Sequence, residues 1–146
     1  MSKTSMTKAE REAFLAEPHV GVFSVTEPAR GPLSIPVWYH YEPGGVIRFT
    51  TGGNSKKAKL MRASGRASLL VQSEAPPYKY ASVEGAVRIA GEPDYERDVR
   101  AMAVKYLGKD MAEAYLVSLA NEYQDVVLVE LTPERWYTVD YAKAFG

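Results

Sequence analysis

The chain has 146 residues, 46% of them hydrophobic and 25% charged, with 18 Lys+Arg balancing 18 Asp+Glu and no cysteine. Zero net charge argues against nucleic-acid binding through a general basic field. The absence of cysteine excludes disulfides, thiolate nucleophiles and cysteine-based metal sites. With only His19 and His40, a multi-histidine metal centre is not expected either. No apolar run reaches membrane-spanning length and the N-terminus lacks a signal-peptide core, so one soluble, cytoplasmic domain over residues 1–146 is expected.

Taken in order, Thr7-Lys8-Ala9-Glu10 carries the capping-box pattern and starts a short helix through Phe14 and Leu15 that Pro18 ends. Val20 to Val25 is an apolar run suited to a buried strand. After the turn chemistry of Glu27 to Pro32, Leu33, Ile35, Val37, Tyr39 and Tyr41 alternate with Ser34, Pro36, Trp38 and His40, the period of a strand. Pro36 cannot donate to a ladder, so that strand is predicted to lie at an edge or to be interrupted there. Pro43-Gly44-Gly45 turns the chain into a strand from Val46 to Thr51. A helix from about Ser55 to Ala63, released by Gly65, precedes strands Ala67–Gln72 and Tyr80–Ala90. Helices Asp94–Leu107 and Asp110–Asn121 and strands Val126–Leu131 and Arg135–Val139 complete the chain. Six or seven strands with few, peripheral helices predict a mainly β, antiparallel barrel or strongly curled sheet. The charged residues around Arg97, Asp98, Arg100 and Lys105 read as a solvated helix face.

The segment Thr50-Thr51-Gly52-Gly53-Asn54-Ser55-Lys56-Lys57 places positive charge in the first turn of a helix, where free N–H groups already favour an anion. On a wheel of ~100° per residue, Lys57 falls between Leu60 and Met61, inside the apolar arc, while Lys59 and Arg62 point outward. A lysine on a packed face either snorkels to the rim or meets an anion, so a solvated basic turn and a phosphate site both fit the wheel. Ser55 serves either as helix cap or as a hydroxyl donor to that phosphate.

These residues resemble the split-barrel flavin and deazaflavin oxidoreductases related to pyridoxamine phosphate oxidase. Phe49 to Lys57 resembles that family's strand–turn–helix, an aromatic–x–Thr followed by Ser-[Arg/Lys]-Lys. Pro36-Val37-Trp38-Tyr39 is similar to its "PVW" strand, Val83-Glu84-Gly85 to its "VEG" strand, and Pro133-Glu134-Arg135-Trp136 to its closing segment. The resemblance implies a six-stranded antiparallel split β-barrel, a homodimer with two cofactor sites at the interface, and a small-molecule substrate. It implies Ser55, Lys56 and Lys57 at the cofactor phosphate. Thr50, Thr51, Ile35, Pro36 and Val37 would line the ring site, Trp38 would pack near the ring or at the dimer contact, and Tyr78 and Tyr80 would reach the partner's site. Pyridoxamine phosphate oxidases carry an Arg-rich strand where this chain has Leu33 to Trp38, and a Gln where it has Tyr80. These departures, with the "PVW" strand and the lysine cluster, point instead to the branch using coenzyme F420, with FMN as the alternative. No acid–base pair stands out; His40 is a candidate proton donor and also an ordinary strand histidine. A carrier of cofactor or haem on the same barrel is the non-catalytic reading.

Overall fold

The computed structural model describes residues 2–120 and 125–146. Helix α1 (Lys8–Ala16) begins at the predicted capping box: the Thr7 side chain accepts the Glu10 N–H at 3.2 Å, and the Glu10 carboxylate accepts the Thr7 N–H at 2.7 Å. Strands β1 (Gly21–Val25), β2 (Leu33–Val37) and β3 (Ile47–Gly52) follow, then α2 (Lys56–Ser64), β4 (Arg66–Gln72) and β5 (Lys79–Ile89). A π-type stretch, Tyr95–Arg100, runs straight into α3 (Ala101–Leu107). Helix α4 (Lys109–Leu119), β6 (Val126–Leu131) and β7 (Arg135–Asp140) complete the order before a short 3₁₀ turn. Gly65 ends α2 in the left-handed region at φ 68°, a conformation that costs a residue without a Cβ little. The predicted last position of α4, Asn121, lies outside the described residues.

All pairings are antiparallel, in the order β2-β1-β4-β5-β6-β3, with β7 added against β5. The sheet is thus the mainly β, curled barrel that the spacing predicts, with seven strands among the described residues. Strand β5 serves both halves: Lys79–Glu84 pair with β7, and Val87–Ile89 pair with β6. The changeover falls at Gly85, where a Cβ would overlap the Thr132 carbonyl, which gives the Val83-Glu84-Gly85 motif a physical reason.

The barrel interior is filled from every strand, with Phe23, Tyr39, Ile47, Phe49, Leu69, Val83 and Leu131 essentially inaccessible. Val20–Val25 is not buried throughout, because β1 alternates: Phe23 and Val25 face inward, while Val22 is 38% exposed. A second, smaller cluster of Val99, Ala103, Ala112 and Leu116 holds α3 and α4 together, and Trp38 packs against it from the barrel side. No helix among the described residues is long and apolar enough to cross a membrane.

Strand β2 lies at the end of the order, as its proline requires, and its regular ladder stops at Val37 rather than continuing to Tyr41. The chain then meets β3 once, where His40 and Arg48 exchange both backbone hydrogen bonds, at 2.8 and 2.9 Å. Continuing that register would set Trp38 opposite Thr50 and Pro36 opposite Gly52. No ladder forms there, since Pro36 has no N–H to offer and the two edges diverge. The split of the barrel is this divergence.

Candidate functional site

A cleft occupies the split. Its outer part, about 370 Å³, is lined by Val20, Pro36, Val37, Trp38, Thr50, Lys57, Met102 and Tyr115. An inner recess of about 180 Å³ shares Trp38, Thr50, Met102 and Tyr115 and adds Thr51, Gly52, Asp98, Val99, Leu119 and Val126. One wall is therefore the frayed end of β2, the other is β3 with the start of α2, and the helices between β5 and β6 form the roof.

Lys57 is the basic side chain of that cleft. It is half-buried, as the wheel requires, and its ammonium has no ion pair or hydrogen bond among the described residues. Burial pushes its pKa below the usual lysine value. Beside it, Ser55 caps α2 by accepting the Ala58 N–H at 3.2 Å, and its hydroxyl lies 3.4 Å from that of Thr51. The first helix-type bond runs from Lys59 N–H to the Ser55 carbonyl at 3.1 Å, leaving the N–H groups of Lys56 and Lys57 at the free end of the helix. An unpaired lysine, two hydroxyls 3.4 Å apart and a helix N-terminus lie within one strand-to-helix turn, a donor set suited to a phosphate, although Ser55 itself lines neither part of the cleft.

The other predicted residues divide into those the fold gathers and those it does not. Pro36, Val37, Trp38, Thr50 and Thr51 line the cleft. Lys56 instead pairs with Glu27 at 2.8 Å, and Ile35 packs against the barrel core. Tyr78 and Tyr80 line neither part of the cleft. Tyr80 is cross-strand from Gln72 and Val139, on the outer face of the sheet. Lys59 is exposed, whereas Arg62 folds back to donate to the Gly53 carbonyl at 2.7 Å. His40 is outside the cleft, 3.4 Å from Glu42, and burial with nearby Arg48 lowers its pKa.

Trp38 is held rather than free. Tyr106 stacks on it at 5.2 Å with planes 4° apart, and Tyr115 leans against it at 5.4 Å. The Tyr106 hydroxyl donates to the His19 carbonyl at 2.7 Å and accepts the Tyr39 N–H at 3.2 Å, so the stack is pinned to the barrel from below. Tyr106, Tyr115, Met102 and Val99 lie in a segment that reads from sequence as charged and peripheral.

That reading also requires correction at its charges. Asp98 is 2% exposed, not solvated. Its carboxylate accepts two hydrogen bonds from Arg97, both at 2.8 Å, takes the Asp94 N–H at 2.9 Å, and lies 3.4 Å from Arg48 Nε on β3. Burial alone would raise its pKa, but these donors and charges outweigh burial and hold it below the usual carboxylate value. Lys105 is half-buried and donates to the Tyr39 carbonyl at 3.1 Å, with its pKa lowered by burial and by Arg48. The i, i+3, i+4 recurrence of Val99, Met102, Ala103 and Tyr106 was the available signal that this helix packs rather than floats.

A split barrel whose open seam ends on a basic helix N-terminus defines the class of cofactor-binding barrels to which the motifs pointed. Residues 7–140 match the pyridoxamine 5'-phosphate oxidase family, and the chain belongs to that family. A conserved hypothetical protein of Mycobacterium tuberculosis, Rv2991, has the same fold, with a TM-score of 0.80 at 22% identity over 100% of this chain and 92% of that one. An F420 reductase superimposes with a TM-score of 0.60 at 21% identity over 86% and 94% of the two chains. A FAD-binding protein of Mesorhizobium loti gives 0.62 at 19% identity over 91% and 94%. No curated protein matches the chain.

Proposed function

We propose that this chain is an oxidoreductase that binds the deazaflavin coenzyme F420 in the split and serves a small unsaturated or quinone-like acceptor. The observation that carries the reading is Lys57: a half-buried ammonium without a partner among the described residues, beside the free N–H groups of α2. Leaving such a charge uncompensated is costly, and a phosphate at that point satisfies lysine, helix and Ser55 together. In reduced form the coenzyme supplies a hydride. The protein's part is to bind and orient: Lys57, Ser55 and the first turn of α2 hold the phosphate, Pro36, Val37 and Thr50 flank the ring, and Trp38 shields it from water. Lys59 and Arg62 add positive charge along α2 that suits a long anionic tail better than a lone phosphate, and an F420 reductase is among the proteins of this fold. Lys56 would exchange its bond to Glu27 for the same anion.

The reading includes a second copy of the chain on the outer face of the sheet. Pro36, Val22, Leu70, Ser82 and Tyr137 form one cross-strand row there, and Val22, Leu70 and Tyr137 are 38, 38 and 71% exposed. Val20, 57% exposed, belongs both to the groove along this face and to the wall of the cleft, which supports seating the second copy beside the cleft.

Fluorescence titration with F420 and with FMN tests the assignment. F420 should bind, and Lys57→Ala should weaken it about 5- to 150-fold, the loss of one charge-assisted hydrogen bond. An unchanged dissociation constant removes Lys57 from the site. FMN retained through purification favours the flavin alternative, and F420 binding without turnover across an acceptor panel favours a carrier.

A further inference from the structure

We propose that a pocket at the end of the barrel away from the split binds a small organic oxyanion, a carboxylate or phosphate monoester with an apolar body. The proposal is independent of the cofactor reading.

Three chain segments fix the place. Tyr41, Val46 and Thr132 line this pocket, whereas Val37, Thr50 and Val126, from the other ends of the same segments, line the cleft or its recess. Val46 and Thr50 are four residues apart, about 13 Å at the rise of a strand. The pocket measures about 370 Å³, with Lys8 and Arg11 of α1 on one side and Pro133 and Trp136 on the other. The Gly44-Gly45 turn and the Pro133 to Trp136 segment, which stand out in the sequence but have no part in the cleft, contribute to its walls.

Arg11 is the decisive side chain. Its guanidinium lies over the Trp136 ring, 4.8 Å from the centroid, yet among the described residues it has no hydrogen-bond acceptor and no ion pair. Even its buried Nε is without an acceptor. A guanidinium stacked in this way is in place before a ligand arrives, and its planar fork matches the oxygens of a carboxylate or phosphate. Lys8, three residues earlier on the same face of α1, is also unpaired among the described residues. Of the two carboxylates at the pocket, Glu134 is spent on the Ala86 N–H at 2.6 Å and on Arg66 at 3.3 Å. Glu12 is engaged by the Tyr41 hydroxyl alone, at 3.5 Å. Two free cations therefore stand against one free carboxylate, and an oxyanion corrects the balance. The volume is more than twice the ~150 Å³ of a cavity that takes up benzene, so there is room for a ring-sized body against Val46, Pro133 and Trp136.

The test follows the Trp136 indole N–H by ¹H–¹⁵N NMR on the full chain, with Trp136→Phe identifying which of the two tryptophan signals it is. Benzoate and phenyl phosphate are the probes, benzyl alcohol the uncharged control and inorganic phosphate the bare ion. A saturable shift is expected with benzoate or phenyl phosphate, whichever head group the pocket prefers, and none with benzyl alcohol. Arg11→Gln should weaken binding at least about tenfold, the loss of a charge-assisted contact. Thr132→Trp, which fills the pocket from the turn between β6 and β7, should do the same if the first variant folds poorly. Lys57→Ala should leave the shift unchanged, which separates this pocket from the cleft. No saturable shift, a shift indifferent to both Arg11→Gln and Thr132→Trp, or inorganic phosphate bound as tightly as phenyl phosphate overturns the proposal. A Trp136 signal that moves with protein concentration rather than with the anion shows a second copy covering the pocket, and overturns it as well.

Discussion

The barrel and the helical insert bury apolar surface by different means. Inside the barrel, large side chains interdigitate and the polar groups are consumed by strand ladders; even the buried Tyr39 hydroxyl has its acceptor, the Leu15 carbonyl at 2.6 Å. Among the described residues, Val99, Ala103, Ala112 and Leu116 form a small buried cluster between the helices, and the insert is fastened to the barrel by an aromatic stack and an ion cluster. A well-packed wall thus faces a lightly packed roof across the cleft. Elements with few buried apolar contacts open at lower free energy, and roofs over binding sites belong to that class. The floor of the site is set by packing, and its roof by a few specific contacts.

The largest expected effect separates the two bodies. Phe49→Ala empties the centre of the barrel, where Phe49 meets Phe23 at 4.9 Å, and should cost about 3–5 kcal/mol in urea unfolding. Val99→Ala removes two carbons from the insert and should cost about 1–2 kcal/mol. Hydrogen exchange sharpens the contrast: Val99→Ala should speed exchange in α3 and α4 and spare the barrel amides. Equal acceleration of both would mean that roof and wall unfold as one unit and would break the comparison.

Next in size is the fastening itself. Asp98→Asn leaves Arg48 on β3 without its buried counter-charge and should cost about 3 kcal/mol, the low end for a broken buried pair because Arg97 stays half in solvent. The pKa of Asp98 is lowered in the folded state, so its contribution is present above the ordinary carboxylate pKa and is lost as pH falls through the folded value. The gap between wild type and variant, followed by urea titration from pH 7 into the acid range, should therefore close at low pH. A gap independent of pH would assign Asp98 a packing role with no ionic part.

What could be read beforehand follows this division. The capping box at Thr7, the left-handed stop at Gly65 and the edge position of the Pro36 strand rest on local chemistry, and each appears where the sequence put it. The wheel placed Lys57 on the packed face for the same reason: 3.6-residue periodicity needs no tertiary knowledge. The alternation from Leu33 to Tyr41 misled, because inward and outward faces continue past Val37 although β1, the ladder partner, begins only at Gly21, opposite Val37. Periodicity reports burial, not pairing. The insert was misread for a different reason. Asp98 looks like any surface carboxylate until Arg48, fifty residues away on β3, is brought beside it. The same holds for the stacking of Trp38 on Tyr106, which only the closed fold creates.

The smallest expected effect has the opposite sign and bears on the cleft between the two bodies. Lys57 carries a charge that burial disfavours and that no described group offsets, so Lys57→Met, which keeps the stem and drops the ammonium, should stabilise the chain without ligand by about 0.5–1 kcal/mol, as single relieved sites commonly do. The pH dependence has a definite sign. With the folded pKa below the ordinary lysine value of about 10.4, the unfolded chain holds more protons in between, so wild-type stability rises with pH there and the variant's advantage shrinks. F420 affinity should fall in the same variant. A residue retained against stability and in favour of a ligand belongs to the site; one whose loss weakens the chain without ligand belongs to the scaffold. A lower unfolding midpoint for Lys57→Met, with F420 affinity unchanged, would move Lys57 to the second group and return the basic turn to ordinary surface.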